Sequence, residues 1–499
     1  MARVSIVAEL TAVPSLDGRE LRAIAHAAEW LEVRADLTGD LNPDWVRNFF
    51  PGKLLYSLRS TSSGGAFEGS ETERASRLLK ASRNYDLVEL EAEIDLQSSL
   101  LTGIAPERRM LSWYSQPMGC KELVTNFRRL SSIQSRIYKM VVEGRYSEDA
   151  LGPLCLMKSL KRPDLIAYAS GKSGFWSRLI APQFGASIIF GSAAPSWTND
   201  GAPPVFQLIE DYGLPSLSPV DKIYGIVGNP VIHSLSPRIH NAAYRTFGYP
   251  ALFVPFQTES FDKFWRKVVN SGALESLDLS IKGLTISSPY KEAALQEARA
   301  ASQMSRHIGA TNVLVRDGGQ WKADTTDPEG VMVAVGNRGL SVTGKKAAVV
   351  GCGGAGRAIA AALNNAGADV TLVNRGVERG RMAAKLLGLP YVPLSSFNVH
   401  DFSVLVNATP VGRDNDEVPF ALNASSEDAI VIDLVYRPTL TPLIANALAL
   451  GLKAIDGREI LLIQVCDQFR KMTGRDMPVS VAHEVLGLNK KTAARTQAV

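Results

Sequence analysis

Lys345-Lys-Ala-Ala-Val-Val350, Gly351-Cys352-Gly353-Gly354-Ala355-Gly356, Arg357 to Ala366, and Ala368-Asp-Val-Thr-Leu-Val-Asn374-Arg375 follow one another without interruption. They read as strand, glycine loop, helix and strand. Glycines at Gly351, Gly353, Gly354 and Gly356 let the backbone turn sharply and approach a pyrophosphate, and the helix that follows, with Ala355 in its first turn, offers unpaired N–H groups to it. A carboxylate at the end of the second strand would accept a bond from a free ribose 2′-hydroxyl. Here Asn374 and Arg375 stand in its place, with Arg379 close behind. Guanidinium groups suit a 2′-phosphate, so the pattern favours NADP over NAD. The bland alternative is a glycine-rich turn in some other α/β domain, and the strand–helix–strand context weighs against it.

The rest of the chain is too long for that one domain. At 499 residues it reads as about three domains, and 45% hydrophobic with 21% charged residues is ordinary for a globular protein. Only the last dozen residues read as disordered. Lys plus Arg (54) nearly balances Asp plus Glu (50), and the basic residues are scattered. That pattern excludes a nucleic-acid or acidic-membrane partner and leaves small anionic metabolites. No apolar stretch approaches the ~20 residues of a membrane span, and the N-terminus has no long apolar core, so a cytoplasmic protein is expected. Cys120, Cys155, Cys352 and Cys466 are widely separated, without metal-ligand spacing. All four read as reduced packing residues, and no metal is expected.

Upstream of residue 200, eight short runs rich in β-formers alternate with helical patterns: Val4–Ala8, Trp30–Arg34, Lys53–Leu58, Leu87–Leu90, Arg109–Trp113, Tyr138–Val142, Leu165–Tyr168 and Ala186–Phe190. Eight strands with intervening helices predict a (β/α)8 barrel, whose chemistry lies at the C-terminal strand ends. Glu32, Arg34, Arg59, Glu89, Glu91 and Lys139 fall in or just past these strands, where a solvated face or a buried ion pair is the structural alternative to a site. A stretch rich in Pro, Gly and Ser, Gly191 to Pro219, reads as a linker. The strands Tyr224–Gly228, Ala251–Phe256 and Leu279–Ser287 then predict a small α/β domain. The dinucleotide domain continues through Val404–Asn407, Ile430–Leu434 and Lys453–Ile455 to a helix from Arg458 to Met472. The expected division is 1–215, 222–329, 330–456 and 457–490, the last a C-terminal helical segment packing toward the small domain.

Residues 224–490 resemble shikimate dehydrogenase. The resemblance rests on Gly228-Asn-Pro-Val-Ile-His-Ser234-Leu-Ser236-Pro-Arg-Ile-His240-Asn241, Gly283-Leu-Thr285-Ile-Ser287-Ser-Pro-Tyr-Lys291, Ile308-Gly-Ala-Thr-Asn312, Asp324-Thr325-Thr326-Asp327, Asn407-Ala-Thr409-Pro, Asp433-Leu-Val-Tyr436 and Gln464-Val-Cys-Asp-Gln468-Phe469. It implies substrate-carboxylate binding by Ser234 and Ser236, further substrate contacts by Ser287, Asn312, Tyr436 and Gln464, and catalysis by Lys291 and Asp327. Asn407 and Thr409 join the glycine loop as cofactor contacts. Hydride delivery to a ketone leaves an alkoxide that needs a proton donor within hydrogen-bond reach, which a Lys beside an Asp supplies. Without these motifs, a Lys and an Asp so far apart would read as surface residues. The family usually has Asn or Ser at Thr285, Thr at Ser287 and Asn at Thr325, which makes quinate a competing substrate.

Residues 3–215 resemble type I 3-dehydroquinate dehydratase through Glu32-Val-Arg34-Ala-Asp36, Arg59 with Gly64-Gly65, Leu87-Val-Glu89, Tyr138-Lys139 and Gly174-Phe-Trp-Ser-Arg178. The resemblance makes Lys139 the Schiff-base lysine and Arg59 and Arg178 the substrate-binding arginines, with Glu32, Arg34 and Glu89 around them. The amine must lose its proton before it can attack, against a free pKa of about 10.4. One family feature is missing. Its histidine after strand five is replaced in Ser112-Trp113-Tyr114-Ser115, and the only histidine before residue 220 is His26, on the first predicted helix. The family's Ser-Ala-Pro-Gly-Gln closing loop survives only as Gly201-Ala-Pro203-Pro204. A fused shikimate-pathway enzyme with an impaired dehydratase is therefore expected. The alternatives are a quinate/shikimate dehydrogenase with a non-catalytic barrel, and a cofactor-binding sensor or scaffold without catalysis. Its ligands are small molecules: 3-dehydroquinate, 3-dehydroshikimate and shikimate.

Overall fold

Alternation along the early strands decides what lies inside the first sheet. In the computed structural model, which describes residues 2–96, 98–422 and 428–488, the strands are Ser5–Leu10, Trp30–Arg34, Lys53–Ser57, Leu87–Glu91, Arg109–Ser115, Ile137–Val142, Leu165–Ala169 and Ile188–Ser192. The first seven pair in parallel in chain order, and the eighth pairs with the first, Val7 opposite Phe190. Among the described residues no ladder joins the seventh strand to the eighth. Val7, Trp30, Leu55, Leu87, Met110, Ile137, Ile166 and Ile188 form one apolar cluster. Two residues further along the same faces come Glu9, Glu32, Ser57, Glu89, Ser112 and Lys139, all buried. With side chains alternating at period two, the barrel is filled by hydrocarbon at the N-terminal end and by charge at the C-terminal end.

The stretch read as a linker belongs to the barrel. Gly191 and Ser192 complete the eighth strand and Val205–Tyr212 is a helix. Prolines at Pro203 and Pro204 mark the bend into that helix, and Ser192 N–H donates to Pro203 O at 2.7 Å. The cysteines also differ from expectation. Cys120 opens the helix Cys120–Leu130, Cys155 lies in Leu151–Leu160, and the two form a disulfide with Cα atoms 5.6 Å apart. Packing of successive outer helices brings them within bridging distance, which their separation of 35 residues does not reveal. Cys352 and Cys466 are free.

The structure divides into two compact units. One runs to Gly225 and includes Asn229–Ile281; the other comprises Ile226–Gly228 and the chain from Lys282. In the first unit the barrel is joined to the segment carrying Ser234 and Ser236. Asn241, on the helix Ser236–Phe247, donates to Asp211 O (3.0 Å) and Phe253 O (2.9 Å) and accepts from Phe253 N–H (2.8 Å). Arg238 pairs with Asp211 at 2.5 Å. Buried Trp176, on the helix Gly171–Ile180, meets Phe256 edge-on at 5.3 Å.

In the second unit six parallel strands lie in the order Tyr391–Pro393, Asp369–Asn374, Lys346–Val350, Val404–Asn407, Ile430–Asp433, Lys453–Ile455. This is the doubly wound order whose direction reverses between Lys346–Val350 and Val404–Asn407, the point where such sheets bind ligands. Ser280–Ile286, Val313–Asp317, Gln320–Asp324 and Ala300–Ala301 belong to a second sheet. The hairpin between Val313 and Asp324, absent from the sequence reading, turns on Gly318 and Gly319, with φ of 55° and 82°. Two consecutive positive φ angles are what a tight two-residue hairpin requires. The helix Asp327–Asn337 packs against Gly354–Asn365 and Gly457–Thr473. Among the described residues no helix is long and apolar enough to cross a membrane.

Candidate active sites

The second unit assembles a lysine, a carboxylate and two amides from four separate elements. Lys291 opens the helix Lys291–Gln296, and its Nζ lies 2.5 Å from Oδ2 of Asp327, the first residue of Asp327–Asn337. The other oxygen, Oδ1, accepts from Asn312 Nδ2 (2.8 Å) and Gln464 Nε2 (2.9 Å). Asn312 is locked in turn: its Oδ1 accepts from Thr326 N–H at 2.8 Å. Gln468 connects Thr326 to Thr285, donating to the first at 3.2 Å and accepting from the second at 3.0 Å. With its oxygens so directed, Asp327 has one orientation and the ammonium is aimed with it. Ser287 follows the strand that carries Thr285, and its N–H donates to Val227 O at 2.8 Å. Tyr436 is half-buried in the loop after Ile430–Asp433.

The glycine loop abuts this lysine. A Cβ on Gly354 would come within 3.0 Å of Lys291 Cβ and of Ala310 Cβ. Gly351 has φ 111°, and a Cβ on Gly356 would lie 1.7 Å from Gly351 O, so the loop needs both glycines to fold back on itself. The 12-residue helix beginning at Gly354 points its free N–H groups out of this loop. Asn374 Oδ1 accepts from Cys352 N–H at 3.1 Å, and Arg375 is exposed beside it. Asn407 Oδ1 accepts from Thr409 N–H (3.0 Å) and Thr409 Oγ1 (2.7 Å), while its amide donates to Asp433 (2.9 Å). Burial pushes the Asp433 carboxyl up to about 6 despite bonds from Thr441, Val435 N–H and Asn407. Glu292, next to Lys291, holds Arg379 at 2.8 Å and Arg357 at 2.9 Å. The backbone cradle and these guanidiniums fit a dinucleotide bearing an extra phosphate. Glu292 and Arg357 escaped the sequence reading, although Glu292 adjoins Lys291.

In the first unit, Ser234 and Ser236 lie together at the start of Ser236–Phe247. Ser236 N–H donates to Ser234 Oγ at 3.2 Å, and Ser236 is buried. The helix end and two hydroxyls are a suitable setting for a carboxylate.

The upper half of the barrel holds the other candidate residues. Lys139 Nζ lies 3.4 Å from Glu89 Oε1, which also accepts from Tyr114 Oη at 2.8 Å. Burial alone would lower the Lys139 pKa, but Glu89 and the other acidic groups around it raise it well above the usual value. Burial likewise opposes ionisation of Glu89, and Lys139 and Arg59 reverse this, holding it well below the carboxylate range. Tyr114 is pushed well above 10, chiefly by burial, and stays a neutral phenol. Arg34 donates two hydrogen bonds to Asp36, at 3.0 and 2.7 Å. Arg59 lies 3.7 Å from Glu32, neither of whose carboxylate oxygens has a hydrogen-bond partner among the described residues. Arg178 lies 3.7 Å from Glu9 and over the Tyr168 ring at 4.2 Å. Glu9 and Asp200 are additions to the residues read from sequence, and Asp36, quoted there only within a motif, is the partner that fixes Arg34. Burial, then Asp200 and Glu32, push Glu9 up to about 8. Among the described residues no cluster of side chains forms a metal site.

A doubly wound nucleotide sheet whose glycine loop touches a Lys–Asp pair defines a dehydrogenase, here on one chain with a parallel barrel enclosing a buried lysine. The family model described as shikimate dehydrogenase substrate binding domain matches residues 226–314, and that of type I 3-dehydroquinase matches residues 15–217. The chain is 38% identical over 267 residues to shikimate dehydrogenase (NADP(+)) of Halobacterium salinarum, covering 53% of this chain and 98% of that one. It is 27% identical over 492 residues to the chloroplastic bifunctional 3-dehydroquinate dehydratase/shikimate dehydrogenase of Arabidopsis thaliana, covering 92% and 80%. Among solved structures, shikimate 5-dehydrogenase of Thermus thermophilus in complex with NADP(H) and shikimate is 32% identical with a TM-score of 0.47, covering 53% of this chain and 98% of that one. The chain belongs to the shikimate dehydrogenase family and carries, in the same polypeptide, a type I 3-dehydroquinase domain.

Proposed function

We propose that the second half of the chain interconverts 3-dehydroshikimate and shikimate with NADP in the cytoplasm, and that the barrel binds 3-dehydroquinate while dehydrating it weakly or not at all. In this reading residues 1–215 form the dehydratase-type barrel, 222–329 the substrate domain and 330–456 the cofactor domain. Residues 457–490 complete the fold, and the last two of these lie outside the described residues. The observation that carries the first part is the Lys291–Asp327 pair at 2.5 Å, braced by Asn312 and Gln464. NADP supplies or takes up the hydride when bound. Gly351, Gly353, Gly354, Ala355 and Gly356 would cradle its pyrophosphate, Asn374, Arg375 and Arg379 its adenosine phosphate, and Asn407 and Thr409 would flank it. Ser234 and Ser236 hold the substrate carboxylate, while Ser287, Asn312, Tyr436 and Gln464 orient its hydroxyls. As the ketone oxygen gains charge, Lys291 donates a hydrogen bond and then a proton to it, and Asp327 keeps the ammonium aimed.

The second part rests on Tyr114, which stands bonded to Glu89 where the family has its histidine. A Schiff base needs a neutral amine and a group that shuttles protons near pH 7. Glu89 favours the ammonium form of Lys139 and burial the phenol form of Tyr114, and both work against these requirements. Quinate is a competing substrate on one observation: Thr325 Oγ1 is buried without a hydrogen-bond partner among the described residues, leaving a hydroxyl available near Asp327. The test is an assay of the purified full chain for each half-reaction separately. NADP-linked shikimate oxidation with little dehydration is expected. A higher kcat/KM for quinate with NAD, or rapid dehydration of 3-dehydroquinate with a borohydride-trapped adduct on Lys139, would overturn the corresponding part.

A further inference from the structure

Beyond Ser192 the chain makes a tight turn at the C-terminal end of the barrel. Thr198 N–H donates to Ala202 O (2.9 Å), Gly201 N–H to Thr198 O (3.1 Å), and Ala202 N–H to Thr198 Oγ1 (2.8 Å). Gly201 has φ 81°, and a Cβ there would strike Gly171 at 2.4 Å. The turn is thus pressed against the start of Gly171–Ile180, the helix that carries Arg178. At its tip stands Asp200. Its carbonyl accepts from Gly171 N–H at 2.8 Å and lies 3.5 Å from Arg178 Nη2. Its Oδ1 accepts from Thr198 Oγ1 at 2.5 Å, and its Oδ2 lies 3.1 Å from Arg59 Nη1.

Arg59 and Arg178 are the two guanidiniums that the barrel offers to a substrate carboxylate. Both are buried, and each leaves its Nε without a partner among the described residues. Desolvated guanidiniums demand anions: Glu32 stands 3.7 Å from Arg59 and Glu9 3.7 Å from Arg178, and the carboxylate that comes nearest either of them is that of Asp200, at 3.1 Å from Arg59. We propose that Asp200 is a built-in ligand of the barrel's anion site, occupying the position of a substrate carboxylate and closing the barrel to carboxylic acids unless the Thr198–Ala202 turn lifts. Burial opposes the charge on Asp200, yet Arg59 and Arg178 hold its carboxyl well below the usual range, so acidification within the working pH range does not release it. The ligand class is a cyclic polyol carboxylate, and the proposal rests on the reading of the barrel as a 3-dehydroquinate site. Asp200 lowers the population of the binding-competent site, and apparent affinity falls by that fraction.

Equilibrium dialysis of labelled quinate against the full chain, Asp200→Asn and Asp200→Ala tests this, with thermal melting to confirm folding. Asparagine keeps the shape and the bond to Thr198 while removing the charge, and it decides the matter if the alanine variant does not fold. Each folded variant is expected to show one class of site at least about tenfold tighter than in the unsubstituted chain, while any quinate bound by the dehydrogenase half, displaced by excess shikimate, is unchanged. Identical isotherms overturn the proposal. A separate dehydration assay distinguishes it from the reading beneath it. An unsubstituted chain that dehydrates rapidly yet binds tenfold more weakly than Asp200→Asn sinks the inert-barrel reading alone, whereas an inert chain with an unchanged isotherm sinks the Asp200 assignment alone.

Discussion

Tyr114 donates its phenol to the same Glu89 oxygen that faces Lys139, so one carboxylate oxygen serves both the lysine and the residue standing where the family has its acid–base catalyst. Tyrosine thereby preserves the hydrogen bond and loses the titration. Histidine at this position would restore a group able to shuttle protons near neutral pH. Tyr114→His is expected to raise kcat for dehydration by about 10²-fold, the lower end of what general acid–base catalysis contributes. Adding Asp200→Asn should then lower KM with little further change in kcat. Steady-state kinetics of the single and double variants read both effects, and an unchanged kcat in Tyr114→His would show that the defect lies elsewhere.

The Lys291–Asp327 pair makes a different kind of prediction. On the proposed reading Lys291 gives the proton in ketone reduction and takes it up in shikimate oxidation, and Lys291→Ala should cost about 10²- to 10⁴-fold in kcat for that oxidation. Asp327→Asn leaves the size of the group unchanged but sets an amide against the donors Asn312 and Gln464, and the ammonium loses its fixed partner. It should lower kcat comparably. NADP affinity, followed by fluorescence titration, is expected to change less than about threefold in the asparagine variant. A collapse of cofactor affinity there would mean the carboxylate braces the fold and not the proton donor.

Much of this was legible in the sequence, for reasons that are local. All eight barrel strands were readable because β-formers alternate with helical stretches, and the glycine loop because its spacing carries its own steric logic. Lys291, Asp327, Asn312 and Gln464 were readable only through the motifs around them, since residues so far apart show no spacing of their own. Asp200 was missed because an Asp in a Pro- and Gly-rich stretch reads as solvated, and only the folded turn aims it at Arg59. The same composition disguised the last barrel turn and helix as a linker. The Cys120–Cys155 bridge depends on which outer helices pack together, which no local pattern reports. The hairpin from Val313 to Asp324 is different: Gly318-Gly319 is a local turn signal between two short runs, legible without any tertiary knowledge.

At Gly354 the glycine loop packs directly on Lys291. Gly354→Ala would force its Cβ to 3.0 Å from the Cβ atoms of both Lys291 and Ala310, neither of which can swing away as a flexible chain end can. The variant is expected to weaken NADP binding and to lower kcat as well, at least about tenfold in kcat/KM. Arg379→Ala, by contrast, removes a partner of Glu292 and, on the proposed reading, a phosphate ligand, without touching Lys291. It should raise KM for NADP about tenfold while leaving kcat, and any rate with NAD, nearly unchanged. Kinetics with both cofactors separate the two outcomes, and equal losses with NADP and NAD in Arg379→Ala would remove that arginine from phosphate recognition.

Asp433 links the cofactor sheet to pH. Burial raises its carboxyl from 3.8 to about 6, although Thr441 donates to one oxygen at 2.6 Å and Asn407 to the other at 2.9 Å. The folded state therefore holds this proton more tightly than the unfolded chain does. The stabilising contribution is fully present below pH 3.8 and is lost as pH rises through 6, by about 3 kcal/mol at most between pH 4 and 7. Asp433→Asn cannot ionise, still accepts from Asn407 through its carbonyl oxygen, and can donate to Thr441. Calorimetry from pH 4 to 8 should show the unsubstituted chain losing stability relative to Asp433→Asn as pH rises from 4, with most of the loss complete by about pH 6. Parallel stability curves would mean that Asp433 titrates near its unperturbed value, with the three donors outweighing the burial.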